Sequence, residues 1–354
     1  MFGMRDKVAR HLLHKSWPKG RDLELLTAIL SPDDQQALAS WRLWSSQVDI
    51  EIIDWQDHRM LAAFVGRLRK LDPQYPQLAR LEGLAKSHWT TSQLIRRHTL
   101  RAVDILIENG IPLMLFKGIA YEIAGYSHIP GRFSGDLDVM VPRKMLKRAL
   151  NWLYDRGWFV EGRSAMQVLT RLSKKLGVNL SHPEGGDFDL HHQPIHAGYT
   201  SNAALDLLWQ NATRSKFLGR DILIPCLSDL LAISASHGMR FPPGSKKRAH
   251  LWAIDFANGI EKLDGNFAAL AKSAENLKVE ASVCAALSFG LENFKSRFPA
   301  AKMETYLQEQ IPKSNLLWFA LEAQSSNIFT EAAKATGLVL ARQSSRIPMA
   351  EFGN

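Results

Sequence analysis

Apolar positions recur at helical spacing through the first hundred residues. Leu61, Phe64, Val65, Leu68 and Leu71 follow the i, i+3, i+4, i+7 pattern of a helix that buries one face. Ser31-Pro32-Asp33-Asp34 predicts a helix start. Ser31 can cap, Pro32 suits the first helical position, and the aspartates complement the positive helix end. Trp41, Trp44 and Trp55 read as packing residues. Leu84 to Glu108 reads as one or two further helices, stopped by Asn109-Gly110 and Pro112.

The pattern then changes. Ile111 to Phe116 (IPLMLF) is a short apolar run typical of a strand buried on both faces. A helix is expected from Gly118 to Gly125, a second strand from Asp136 to Val141, and a helix from Pro142 to Arg156 closed by Gly157. Trp158 to Val160 suggests a short strand. Gly177–His182 and Asp187–His191 read as a hairpin around Pro183-Glu184-Gly185-Gly186. Lys216–Leu218 and Asp221–Ile224 suggest another, joined at Gly219-Arg220. Helical spacing returns near 228–239, 247–263, 265–276, 280–294, 300–310 and 314–342. The predicted organisation is a helical region over 1–108, an α/β core over 109–225 and a helical region over 226–354.

Composition narrows the class. Of 354 residues, 46% are hydrophobic and 22% charged, which excludes a disordered chain and supports a large core. The two cysteines, Cys226 and Cys284, exclude a disulfide framework and a thiolate zinc site. They read as small buried hydrophobes, and a reducing cytoplasm fits. No signal peptide and no membrane-spanning run is expected. The net charge of +9 favours anionic partners. Basic residues cluster at Arg143–Arg148 (RKMLKR) and at Lys246, Lys247 and Arg248.

Three features of the centre carry candidate chemistry. Lys117-Gly118 stands where a buried strand meets a helix, so free N–H groups, Gly118 and the lysine charge could receive a phosphate. The alternative is an ordinary strand-to-helix turn. Gly135-Asp136-Leu137-Asp138 places two carboxylates at i and i+2, on one face of a strand. They repel unless a cation sits between them, and hard oxygen donors point to Mg²⁺ or Mn²⁺. The alternative is a solvated pair at a strand end. Asp187, Asp189 and His191 share a face of their own strand. If that strand lies beside Asp136–Val141, a third carboxylate completes a cluster suited to phosphoryl or nucleotidyl transfer with two metals.

In order along the chain, LFKG, Arg132, Gly135-Asp136-Leu137-Asp138, Val141 and Asp189-Leu190-His191 resemble the uncharacterised nucleotidyltransferase family of the DNA polymerase β-like superfamily. Leu208-Trp209, Gly219-Arg220, Leu230-Leu231, His237-Gly238, Trp252 and Asp255 extend the similarity over about residues 85 to 262. The resemblance implies an α+β fold, a small mixed sheet flanked by helices, with helical N- and C-terminal parts. It implies Asp136, Asp138 and Asp189 as metal-binding catalytic residues, with Lys117, Gly118, Arg132 and Gly135 at the nucleotide. The wider superfamily carries Gly-Ser where this chain has Lys117-Gly118.

The implied reaction is metal-dependent transfer of a nucleoside monophosphate from an NTP, ATP in the first instance, to an acceptor with release of pyrophosphate. The acceptor is a sugar, small molecule, peptide, protein or RNA. Arg132 either contacts the triphosphate or forms a structural ion pair, and Lys117 either meets the nucleotide or pairs with Glu122. His191 and His237 are candidates to support the metal ligands without binding the metal themselves. His191 and His192 are adjacent in a strand and point to opposite faces, which suits a shared metal with His182 or His196 poorly. Competing functions are toxin-like nucleotidylation of tRNA or protein, and a non-catalytic nucleotide-binding protein.

Overall fold

The computed structural model describes residues 9, 11–127, 129–172, 175–195, 200–239, 250–316 and 319. Lys246, Lys247, Arg248, His196 and most of the helix expected over 314–342 lie outside these residues. The chain divides into two compact units. The first takes the described residues of Met1–Trp89, Tyr126–Phe133 and Leu227–Thr336; the second takes Thr90–Gly125 and Ser134–Cys226. The division falls inside one long helix. Among the described residues no helix is long and apolar enough to cross a membrane.

The first unit is helical. Its elements are α1 (Arg21–Leu30), α2 (Asp34–Ser45), α3 (Trp55–Leu71) and the start of α4 (Leu78–Glu108). Asp33, not Ser31, caps α2 and accepts from the main-chain N–H groups of Gln35 and Gln36. The Ser31 hydroxyl instead donates to Gln36 at 2.6 Å and accepts from the Asp33 N–H at 3.1 Å. The predicted face of α3 is the buried one: Leu61, Phe64, Val65 and Leu68 are in the core, with Leu71 at its margin. Trp41 and Trp44 are fully buried and stacked, whereas Trp55 is 49% exposed. It opens α3 with half its surface in solvent and its ring edge-on to the buried His88, 5.5 Å between centroids.

Helices α9 (Leu227–Met239), α10 (Leu251–Lys262), α11 (Phe267–Leu277), α12 (Glu280–Phe294) and α13 (Ala300–Gln310) complete this unit. Gly238 lets α9 approach α10, since a Cβ there would sit 2.2 Å from the Trp252 ring. Cys284 is buried in α12, and burial pushes its thiol up to about 12. Cys226 is only half-buried.

The second unit is built on one six-stranded sheet of order β3-β4-β2-β1-β6-β5. The strands are β1 (Met114–Phe116), β2 (Asp138–Met140), β3 (Gly177–Ser181), β4 (Asp187–His191), β5 (Thr213–Phe217) and β6 (Arg220–Ile224). Flanking them are the rest of α4, α5 (Gly118–Ile123), α6 (Leu146–Asp155), α7 (Ala165–Leu172) and α8 (Asn202–Gln210). The apolar run ending at Phe116 occupies the sheet's centre, and every β1 residue is buried. Strand β1 runs antiparallel to β2 and parallel to β6, and β2 runs parallel to β4. This is the small mixed sheet flanked by helices that the resemblance implied.

The β5 edge is polar. Strand β5 carries Arg214 and Lys216, which discourages pairing with another chain. It joins β6 through Leu218 and Gly219, both at positive φ, in the two-residue turn that matches strand twist. Trp158 to Val160 forms only isolated bridges, one of them between Phe159 and Ser181.

Candidate active site

One row of side chains crosses four strands. The register aligns Phe116 of β1 with Asp138 of β2, Asp138 with Asp189 of β4, and Asp189 with Asn179 of β3. Directly paired residues share a sheet face. His191 is two residues beyond Asp189 and so falls on that face too. Donor atoms of Asp138, Asp189 and His191 all lie within 4.8 Å of one another.

The hydrogen bonds define the cluster. The His191 Nε2–H donates to Asp138 Oδ1 at 2.9 Å, and Lys117 Nζ donates to the same oxygen. Asn179 Nδ2 donates to Asp189 Oδ1 at 3.3 Å. The His191 ring is buried edge-on against Phe116, with 5.0 Å between centroids, and its Nδ1 has no hydrogen-bond partner. Burial works against the charge on Asp138, yet Lys117 and His191 outweigh it and hold the carboxyl well below its usual range. Burial likewise opposes the Lys117 ammonium. Asp138, then Asp136 and Asp189, prevail and raise its pKa above that of an ordinary lysine.

Lys117 is held in an uncommon backbone conformation, φ 58° and ψ −142°, a region that favours glycine. It joins β1 directly to α5, a helix of only 6 residues. Glu122, the alternative partner of Lys117, instead accepts two bonds from Arg96 at 2.6 and 2.5 Å.

The structure separates the two aspartates of the Gly135-Asp136-Leu137-Asp138 run. Strand β2 begins at Asp138, which is buried, while Asp136 lies in the preceding bend and is exposed. The Ser134 hydroxyl donates to the Asp136 carbonyl, and the ladder to β4 begins with the Asp189 N–H on the Leu137 carbonyl. Asp136 therefore reaches the cluster through its charge on Lys117 and is not among the three residues whose donors converge. Gly135 lies in the same bend, and Gly118 opens α5.

Arg132 belongs to the first unit. Its Nε and Nη2 donate to Asp255 at 2.9 and 2.6 Å, and its Nη1 donates to the Phe133 carbonyl at 2.8 Å. Both partners of the pair are buried. His237 is half-buried on α9 of that unit. His250 bonds Asp22 and accepts from the Trp252 indole. His182 bonds the Arg156 carbonyl and accepts from the Glu184 N–H.

His192 faces away from His191. Its Nε2–H donates to the carbonyls of Leu172 and Lys175, both at 2.9 Å, and Arg143 Nε donates to its Nδ1 at 3.4 Å. Burial, assisted by Arg143, pushes this imidazole down to about 4 against the pull of the two carbonyls. The unfolded ring titrates near 6.5 and so binds a proton that the native ring does not. Stability should therefore fall as pH drops from about 6.5 to about 4, by on the order of 3 kcal/mol for this ring. Urea unfolding of wild type and His192→Gln at pH 7 and pH 4.5 checks this. A difference between the two proteins that does not change with pH would count against it.

Gly177 sets the other side of His191. A Cβ at this position would meet His191 Nδ1 at 2.6 Å and the Leu190 carbonyl at 2.7 Å. Gly177→Ala should displace the ring from Asp138 and cost about 1–3 kcal/mol, as overpacking does. Urea midpoints give the measurement, and an unchanged midpoint would show that the ring has room to move.

The donor set fits a divalent cation. It offers two carboxylates and an imidazole within bridging distance, and one carboxylate is buried and kept ionised. The model of the uncharacterised nucleotidyltransferase family matches residues 52–294, more than half of the chain, and the chain belongs to that family. The match takes in Lys117, Asp138, Asp189 and His191 alike. No curated protein and no solved structure matches the chain. Family membership points to a transferase and, in general terms, to nucleotidyl transfer.

Proposed function

We propose that this chain transfers a nucleoside monophosphate from an NTP to an acceptor nucleophile and releases pyrophosphate. The observation that carries the reading is the parallel register of β2 and β4, which sets Asp138 against Asp189 with His191 beside them. Asp138 and Asp189 would hold Mg²⁺ or Mn²⁺, with Asp136 supplying further negative charge from the bend. The bound metal would supply Lewis-acid activation of the acceptor and neutralise charge on the phosphates. Asp189 is the more accessible of the two converging carboxylates, and it would take the acceptor proton. Lys117, Gly118 and Gly135 would meet the phosphate chain, with ATP the first nucleotide to test. His191 orients Asp138 through its hydrogen bond.

Arg132 has a different task in this reading. All three of its guanidinium nitrogens are engaged by Asp255 and Phe133, so it holds its own loop.

The test is incubation with each α-labelled NTP and Mg²⁺ or Mn²⁺ against candidate sugars, peptides, proteins and RNA. Retained label that requires Asp138 and Asp189 supports transfer. Nucleotide binding with no label retained on any acceptor favours a binding protein.

A further inference from the structure

Lys117 already supplies a cation to the carboxylate cluster. Its Nζ bonds Asp138 Oδ1, the same oxygen that accepts from His191. The ammonium lies 5.3 Å from the centre of the Phe116 ring, and the side chain is partly open to solvent. The main chain that launches it is held in a conformation natural to glycine. Strained backbone of this kind persists where the surroundings over-determine it, and here it aims one ammonium at Asp138.

A divalent ion between Asp138 and Asp189 would compete with the Lys117 ammonium for the Asp138 carboxylate. Two cations on one carboxylate repel each other, so each weakens the other's hold on Asp138. The displaced ammonium then needs a new anion, and its flexible four-carbon stem lets it turn without a change in the main chain. The phosphate chain of a nucleotide supplies that anion.

We propose that Lys117 is a resident counter-ion, which a divalent metal displaces from Asp138 and which then moves to the phosphates of the incoming nucleotide. This rests on the reading of the site as metal- and nucleotide-binding. The metal binds weakly while Lys117 has no other partner. Metal and nucleotide then reinforce each other, since each makes room or supplies charge for the other.

The experiment is a Mn²⁺ titration of the full chain without nucleotide, with free Mn²⁺ read by electron paramagnetic resonance. Wild type is compared with Lys117→Met, which keeps the stem without the charge, and Lys117→Gly, which suits the positive φ. Both variants should bind Mn²⁺ at least fivefold more tightly than wild type. Equal or weaker binding would overturn the proposal. A second measurement needs no variant: the rate of Lys117 acetylation in wild type, read by mass spectrometry. It should rise several-fold with saturating Mg²⁺, and an unchanged or lower rate would also overturn the proposal. If none of the three proteins binds Mn²⁺, the metal reading of the site fails as a whole. If they bind it with unchanged affinity, only the role of Lys117 fails.

Discussion

Asp138→Asn is expected to lower nucleotide transfer by on the order of 10³-fold, since metal stabilisation of transition-state charge is worth several kcal/mol. Asp138 is the buried carboxylate of the cluster, and both Lys117 and His191 bond to it. An amide of the same shape keeps the packing but loses the charge. The fold should survive, because Lys117 is partly exposed and its ammonium can return to water at little cost. A readout independent of the acceptor is thermal stabilisation by NTP with Mg²⁺. Ligand at about 100 times its Kd adds about 2.7 kcal/mol to the wild type. Asp138→Asn should show little of this shift, and Asp189→Asn should lose transfer as well. Transfer within tenfold of wild type, with the thermal shift intact, would remove Asp138 from the site.

The parts of the fold that were legible in sequence are those with a local signal. The hairpin of β3 and β4 is announced by alternating residues around Pro183-Glu184-Gly185-Gly186, and β1 by its uninterrupted apolar run. Among the described residues, the five helices from α9 to α13 follow their apolar spacing closely. Helix α7 escaped, although it carries a start signal. The Ser164 N–H donates to Gln167, and the Gln167 N–H donates back to the Ser164 hydroxyl, the reciprocal capping of an S-x-x-Q start.

The site was legible by residue type and less so by geometry. Alternation correctly placed Asp189 and His191 on one face, and the structure sets Asp138 opposite them. It also implied that Asp136 and Asp138 act as equals. Asp136 instead sits in the bend before β2, where the Ser134 hydroxyl bonds its carbonyl, a contact with no periodic trace in the sequence. The sequence placed His191 in a supporting position near Asp189, and its ring nitrogen bonds Asp138 within the converging group. The bond between His191 and Asp138 spans 53 positions and depends on the β2–β4 pairing. Pairing of parallel strands cannot be deduced from either strand alone. The strand-to-helix junction points Lys117 to a phosphate. Its attachment to Asp138 depends on a φ of 58°, which no residue-level propensity predicts for lysine.

The other large effect is expected at Asp255, and it concerns stability. The loop residues 129–133 pack against the helical unit by two means. Gly131 comes so close to α3 that a Cβ would sit 1.9 Å from the Ala62 carbonyl. Arg132 then makes its bidentate bond with Asp255 on α10, across 123 positions of sequence. Both side chains are almost fully buried, at 4% and 6% exposure. A buried pair of this kind adds little over an apolar pair of equal volume, but losing one partner strands a charge. Asp255→Ala should therefore cost about 3–5 kcal/mol. The double variant Asp255→Leu with Arg132→Met should recover much of that loss. Urea unfolding of the three proteins gives the comparison. A loss below about 1 kcal/mol in Asp255→Ala would mean that the guanidinium finds water or another anion when released. That outcome would reopen Arg132 as a contact for the triphosphate. A large loss, relieved in the double variant, keeps Arg132 with the fold.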